Sequence, residues 1–219
     1  MGRKGGEICI IGRKAVSLQR NLCKNNTYFA MALLFNKDVS INAMMYVLSA
    51  LGGRCDMHKI CKILYFADQM HLSRYSRSIT GADYIRMTYG PVPSQVDDMF
   101  KAVRGDSFFS NTEEAEWLKT YFSFYNRYTI DQKKQPDMDY LSETDVECLD
   151  ESIALCKDKS FGELTEMSHG LAWQNTQQDR KMSVKDILRE AGDSEEYVDY
   201  IDQKLRMENF PNIVYGVTC

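Results

Sequence analysis

No run of apolar residues in this sequence approaches the roughly 18–20 that a membrane-spanning helix requires. The longest apolar run near the start, Ile8 to Ile11, is shorter than the roughly 7–15 residues of a signal-peptide core. The phosphate-cradling patterns G-x-x-x-x-G-K-[ST] and G-x-G-x-x-G are missing, so nucleotide binding has no support, and no G-x-S-x-G turn presents a serine nucleophile. Seven cysteines, at 9, 23, 55, 61, 148, 156 and 219, form no C-x-x-C pair. An odd number of thiols in a long chain reads as a reduced, cytoplasmic protein in which several cysteines act as small buried hydrophobes. Only four prolines occur, and two of them, Pro91 and Pro93, lie almost side by side.

What is present is an ordinary globular composition, with 44% hydrophobic and 26% charged residues in 219, enough for one domain with a sizeable core. The net charge of −4 argues against a general nucleic-acid binder. That charge is uneven. Within residues 1–30, Arg3, Lys4, Arg13, Lys14, Arg20 and Lys24 face Glu7 alone, so the remainder is more acidic than the whole. Residues 1–30 show no periodicity and read as a loose basic extension, with Met31 as a candidate natural start; a short targeting or nucleic-acid-binding arm is the alternative.

The patterned sequence is mostly helical. Ile41, Met44, Met45, Leu48 and Leu51 recur at helical spacing, with Asp38 or Ser40 as cap and Gly52-Gly53 as stop. A long helix is expected over Asp56 to Tyr75, its apolar stripe carrying Ile60, Ile63, Leu64 and Ala67. Lys59, Lys62, Gln69 and Ser73 fall on another face, with Phe66 among them. Ser94 with Asp97, Ser142 with Asp145 and Ser160 with Glu163 resemble capping boxes, predicting helices over 95–104, 143–157 and 161–170. A short helix at 113–120, one from Ser183 to Gly192 and a final acidic helix over 194–208 complete the set. Two segments alternate like strands, 83–89 and 121–130, and pairing between them would make a small antiparallel element. Gly90-Pro91 is expected to stop that pairing, because proline lacks the amide donor. The fold class is therefore mainly α (α+β), a single helical domain with a small β element.

Candidate chemistry is sparse. Cys55, His58 and Cys61 suggest metal ligands, but on one helix the two cysteines are turned about 600° apart, and no second pair follows at zinc spacing. No metal or other cofactor is expected. Asp68 and His71, three apart on a helix with Tyr65 near, are the only candidate base and orienter. His169 and Trp173, four apart, suggest an aromatic–imidazole contact. Arg86 and Tyr84 are the one basic–aromatic pair singled out for RNA, against an acidic body.

The stretch Ile79 to Ser94, ITGADYIRMTYGPVPS, concentrates turn residues between two helical segments. Together with KICKILYFADQM before it, it resembles the Panacea, or SocA-like, antitoxin domain family. Members of that family carry a K-L-x-K-L-L-Y-F-A helix, then Y-G-R-x-I-T-G, then Y-G-P-V-P. LSETDVECLDES (141–152) resembles the family's L-S-E helix, and SFGELTEMSHGLAW (160–173) its serine–histidine–tryptophan segment. The resemblance covers roughly residues 35–192, and 193–219 would be an acidic helix and tail. One departure is Ser76, where the family usually has glycine after the tyrosine.

The resemblance implies a helical domain that neutralises a protein toxin by direct contact, or delivers a bound partner to a cytoplasmic protease, with no cofactor and no catalytic residues. An enzyme built on Asp68 and His71 is the third reading. For partner contact the candidates are the clip residues Tyr84, Arg86 and Tyr89 and the polar helix face at Lys59, Lys62 and Phe66. Tyr65, Thr80, Gly81, Gly90, Pro91, Val92, Pro93, His169 and Trp173 are motif residues. Two readings of the clip stand side by side: a stiffened binding surface, or a structural joint between helix and sheet.

Overall fold

The computed structural model describes residues 35–106 and 110–209. The basic extension 1–30 and the tail 210–219 lie outside them. Helix α1 runs Lys37–Ala50, and its cap is Asn36, whose Oδ1 accepts from Val39 N, not Asp38 or Ser40. Ile41, Met44, Met45 and Leu48 are buried as the spacing requires. The chain then forms a short strand, β1 (Arg54–Asp56), where a helix start was expected. Asp56 caps α2, Met57–Tyr75, by accepting from His58 N. Cys55 is thus on a strand and Cys61 on a helix, and among the described residues no group of three or more potential metal ligands assembles.

Helix α2 runs through the middle of the protein. Ile60, Ile63, Leu64, Tyr65 and Ala67 are all but inaccessible to solvent. Full burial of each large aliphatic side chain contributes roughly 1.5–3 kcal/mol. Its principal neighbour is α5, Glu143–Cys156, which starts at a true capping box: Ser142 Oγ accepts from Asp145 N while Asp145 accepts from Ser142 N. Ser152 Oγ in α5 donates to Ile63 O at 2.7 Å, tying the two helices at mid-length. The four described cysteines are free thiols, and Cys61, Cys148 and Cys156 are buried among apolar neighbours.

Two small antiparallel sheets replace the single one expected. In the first, β4 (Phe122–Phe124) and β5 (Thr129–Gln132) form a hairpin, and β1 pairs along the free edge of β5. The second is a hairpin of β2 (Tyr84–Met87) and β3 (Gly90–Pro93). Residues 83–89 therefore do not pair with 121–130. Nor does Gly90-Pro91 stop the pairing; it is part of it. The reason lies in the ladder. Arg86 N donates to Arg180 O and Arg86 O accepts from Asp179 N, so the backbone groups of Arg86 face away from β3. Pro91 opposite it occupies a position where no amide donor is needed. Tyr84, opposite Pro93, likewise offers its carbonyl to Met182 N.

The remaining elements follow the caps with adjustments. Helix α3 (Ser94–Arg104) has Pro93 at its cap with no side-chain hydrogen bond, so the Ser94–Asp97 box does not form. Helix α4 is Glu113–Leu118. Ser160 and Glu163 box the start of α6 (Phe161–Met167), and the segment expected to continue to 170 breaks into a second short helix, α7 (Leu171–Asn175). Helix α8 (Val184–Ala191) ends at Gly192 in the left-handed region. Helix α9 (Glu195–Asn209) is not a separate appendage: Val198 and Ile201 are buried, and Tyr197 OH donates to Leu72 O. No helix among the described residues is long and apolar enough to cross a membrane.

Candidate functional site

The motif segments converge on the β2–β3 hairpin, and the convergence is made of hydrogen bonds to its carbonyls. Lys62 Nζ, on α2, donates to Pro91 O at 2.7 Å. His58 Nε2, one turn earlier, meets Tyr89 O at 3.1 Å. Trp173 Nε1, on α7, donates to Met87 O at 2.9 Å. The Arg86 guanidinium donates to Thr176 O. Residues 179–182 run along the outer edge of β2. The hairpin is thus fixed from α2 on one side and from the α7–α8 region on the other.

Gly90 shows why this joint is close. Its φ is +98°, and a Cβ there would collide with Ser168 Oγ and lie 2.7 Å from Lys62 Nζ. Glycine permits both the backbone angle and the approach. Beside it, Trp173 is sandwiched: the His169 ring stacks at 3.7 Å and 11°, and the Arg86 guanidinium lies 4.0 Å from the indole centroid. Two planar groups at those distances must occupy opposite faces. Burial, with the charges of Lys62 and Arg86, lowers the His169 pKa, so the imidazole in the stack is neutral at pH 7. Arg86 Nε and His169 Nε2 are buried without hydrogen-bond partners, a cost the stacking must offset.

On the other side of α2, the Asp68 carboxylate organises the approach to the clip. It accepts from Ile79 N at 2.7 Å, Thr80 N at 3.0 Å, Thr80 Oγ1 at 2.5 Å and Tyr84 OH at 2.6 Å. This explains the I-T-G motif: Thr80 wraps the carboxylate, and Gly81 turns away at φ +67°. His71 faces elsewhere. Its Nδ1 lies 2.8 Å from Arg77 O and its Nε2 3.0 Å from Thr144 Oγ1 and 3.1 Å from Asp145 Oδ1. Burial lowers its pKa. Tyr65 OH donates to Glu190 Oε1 at 2.8 Å. The trio Asp68, His71 and Tyr65 is therefore not a unit; each serves a different joint. A cavity of about 400 Å³ opens beside Asp68 and Tyr84, walled by Phe35, Leu72, Val184, Ile187 and Leu205.

Several expected surface residues are inside. Lys62 is fully buried, and burial lowers its pKa to about 8. Phe66 and Tyr84 are buried as well, Tyr84 because its hydroxyl reaches Asp68. Helical spacing placed Lys62 and Phe66 on a polar face, but α2 is packed on all sides over that stretch. Lys59 is half-buried, its ammonium donating to Lys157 O. Arg86 is held in the tryptophan sandwich. Of the six, Tyr89 is the exposed one, at 59%. Thr80, Pro91 and Pro93 are buried and Val92 half-buried, as joint residues.

Three participants were not among the candidate site residues. Phe161, 51% exposed, lies edge-on to Tyr89 at 5.3 Å and stacks on His58 at 4.1 Å. Ser168 fills the space under Gly90. Glu190 binds Tyr65 OH, Gln69 Nε2 and Ala172 N, linking three helices. Phe161 and Glu190 carried no local signal, since Tyr89, His58, Tyr65 and Gln69 lie more than 70 residues from them; Ser168 belongs to the serine–histidine–tryptophan segment, but its place under Gly90 depends on the hairpin.

A family model described as antitoxin SocA-like, Panacea domain, matches residues 60–174. The chain belongs to this family. The matched span holds α2 from Ile60, the whole clip, α5 and the His169–Trp173 stack. Residues 179–182 and Glu190, which brace the clip from outside, fall beyond it. No curated protein and no solved structure matches the chain.

Proposed function

We propose that this protein is an antitoxin that neutralises a protein toxin by binding it, in the cytoplasm and without catalysis, through the exposed tip of the clip. The observation that carries the reading is the contrast between the hairpin's backbone and its turn. Its carbonyls are held by Lys62, His58 and Trp173 and its Arg86 side chain is anchored on Thr176 O, while the turn displays Tyr89 against Phe161 with Met87 40% exposed beside it. A surface already held in shape loses little entropy on association, and exposed aromatics are the usual anchors of protein interfaces.

The test is growth rescue. Cells expressing the cognate toxin are complemented with wild type, Tyr89→Ala, Phe161→Ala or the remote control Lys185→Ala. Each aromatic loss should weaken binding by roughly 2 kcal/mol, about 30-fold, and reduce rescue; the control should not. Full rescue by Tyr89→Ala and Phe161→Ala together refutes the surface. Toxin protein that disappears during rescue, in place of a stable complex, identifies delivery to a protease instead.

A further inference from the structure

The β1–β5–β4 sheet has one face in the core and one face open. Phe122, Phe124, Ile130 and Cys55 alternate inward, with Phe122 and Ile130 fully buried. The opposite parity carries Ser123 on β4 with Tyr121 and Tyr125 flanking it, Thr129 and Asp131 on β5 with Lys133 just after it, and Arg54 and Asp56 on β1, where the Arg54 guanidinium pairs with the Asp131 carboxylate. Cations lie over the aromatic rings here. Arg54 sits 4.0 Å from the Tyr125 centroid and Lys134 4.2 Å from that of Tyr121. At the turn, Arg127 lies 6.0 Å from the Tyr128 centroid.

Tyr125 is 65% exposed and Tyr128 58%. Among the described residues no carboxylate pairs with Arg127, Lys133 or Lys134, and all three are exposed; the Lys133 and Lys134 ammonium groups donate to Lys119 O at 2.9 Å and Thr120 Oγ1 at 3.0 Å. On a chain of net charge −4 this is a local basic, aromatic platform.

We infer that this open sheet face is a binding site for single-stranded nucleic acid. The exposed rings of Tyr125 and Tyr128 offer flat surfaces on which bases stack, and Arg127, Lys133 and Lys134, which have no carboxylate partner among the described residues, meet phosphates. Tyr125 and Tyr128 sit together at the turn between β4 and β5, so both exposed rings are presented on one hairpin tip. An acidic polypeptide would use the cations and leave the ring faces unused, which is why the nucleic acid is the better fit.

The site is distinct from the clip and independent of toxin binding. Base-on-tyrosine stacking is sequence-tolerant, so the platform takes single strands of mixed sequence.

The experiment is fluorescence anisotropy of the full chain with labelled oligodeoxythymidylate and oligouridylate of about twelve nucleotides. Binding should weaken with salt, since phosphate contacts release counterions. Tyr125→Ala should weaken it roughly 5–150-fold, the range for loss of one base stack. Lys133→Glu with Lys134→Glu should weaken it and flatten the salt dependence. Circular dichroism checks that these exposed substitutions leave the fold intact. No binding at about 100 μM protein overturns the inference, since that is the weak end of non-specific association. So does binding unchanged in the Tyr125 and lysine variants, which would place it elsewhere on the chain. Equal affinity for a duplex or for polyglutamate also overturns it, because neither stacks on tyrosine.

Discussion

Lys62 is the most informative residue to perturb. It is a fully buried ammonium whose hydrogen bond at Pro91 O holds the clip to α2. Burial lowers its pKa from 10.5 to about 8. At about 1.4 kcal/mol per pH unit, the charged form costs about 3 kcal/mol relative to the neutral amine. Below pH 8 the folded and unfolded chains both hold the proton, so that cost is present in full. Between pH 8 and 10.5 the folded chain has released the proton and the unfolded chain has not, so Lys62 makes stability rise with pH. Lys62→Met removes the charge and strands the Pro91 carbonyl, which costs about 1–3 kcal/mol. At pH 7 the two effects nearly offset, and the variant should lie within about 2 kcal/mol of wild type. Near pH 10 only the stranded carbonyl remains, and wild type should be the more stable. Burial raises the Tyr65 and Tyr84 pKa values, but both phenols titrate in both proteins and cancel in the difference. Urea unfolding of the pair at pH 7 and about pH 10 reads this directly. A stability difference that does not change with pH would refute the reasoning.

Two further substitutions address the joints. Gly90→Ala forces a Cβ onto Ser168 Oγ and Lys62 Nζ at a positive φ, and should cost at least about 3 kcal/mol by overpacking and strain combined; a Tm within a few degrees of wild type would show that the clip can shift. Ser76 caps α2 in the left-handed conformation, φ +59°, with Oγ 2.7 Å from Tyr197 OH. Ser76→Gly relieves about 1 kcal/mol of backbone cost and loses a hydrogen bond of similar worth, so thermal unfolding should hardly move, whereas Ser76→Ala loses the bond alone and should destabilise by about 1 kcal/mol.

The parts of the fold that were legible in the sequence are those decided by neighbours a few residues away. Ser142 with Asp145 and Ser160 with Glu163 started helices because a capping box is closed within four residues. The His169–Trp173 contact was readable for the same reason. What could not be read depends on distant partners. Lys62 looks like a surface lysine until Pro91 O is placed over it. Pro91 and Pro93 look like breakers until residues 179–182 take up the other edge of β2. Three residues of β1 have no periodicity of their own and are strand only because β5 is beside them. The family motif covers the clip, but most of its residues build the joint, and the exposed turn packs against Phe161, which no local pattern singled out.

The hairpin is local in sequence, and its braces are not. His58 and Lys62 leave the ribosome before it, but the Trp173 indole that holds Met87 O is made 86 residues after it. Thr176, Asp179, Arg180 and Met182 come later still. A nascent chain that has emerged only as far as α5 holds the clip from one side, with one edge of β2 unpaired. The hairpin is thus fixed on both sides only after residue 182 has emerged, and a chain terminated before that point would carry the motif without the shape.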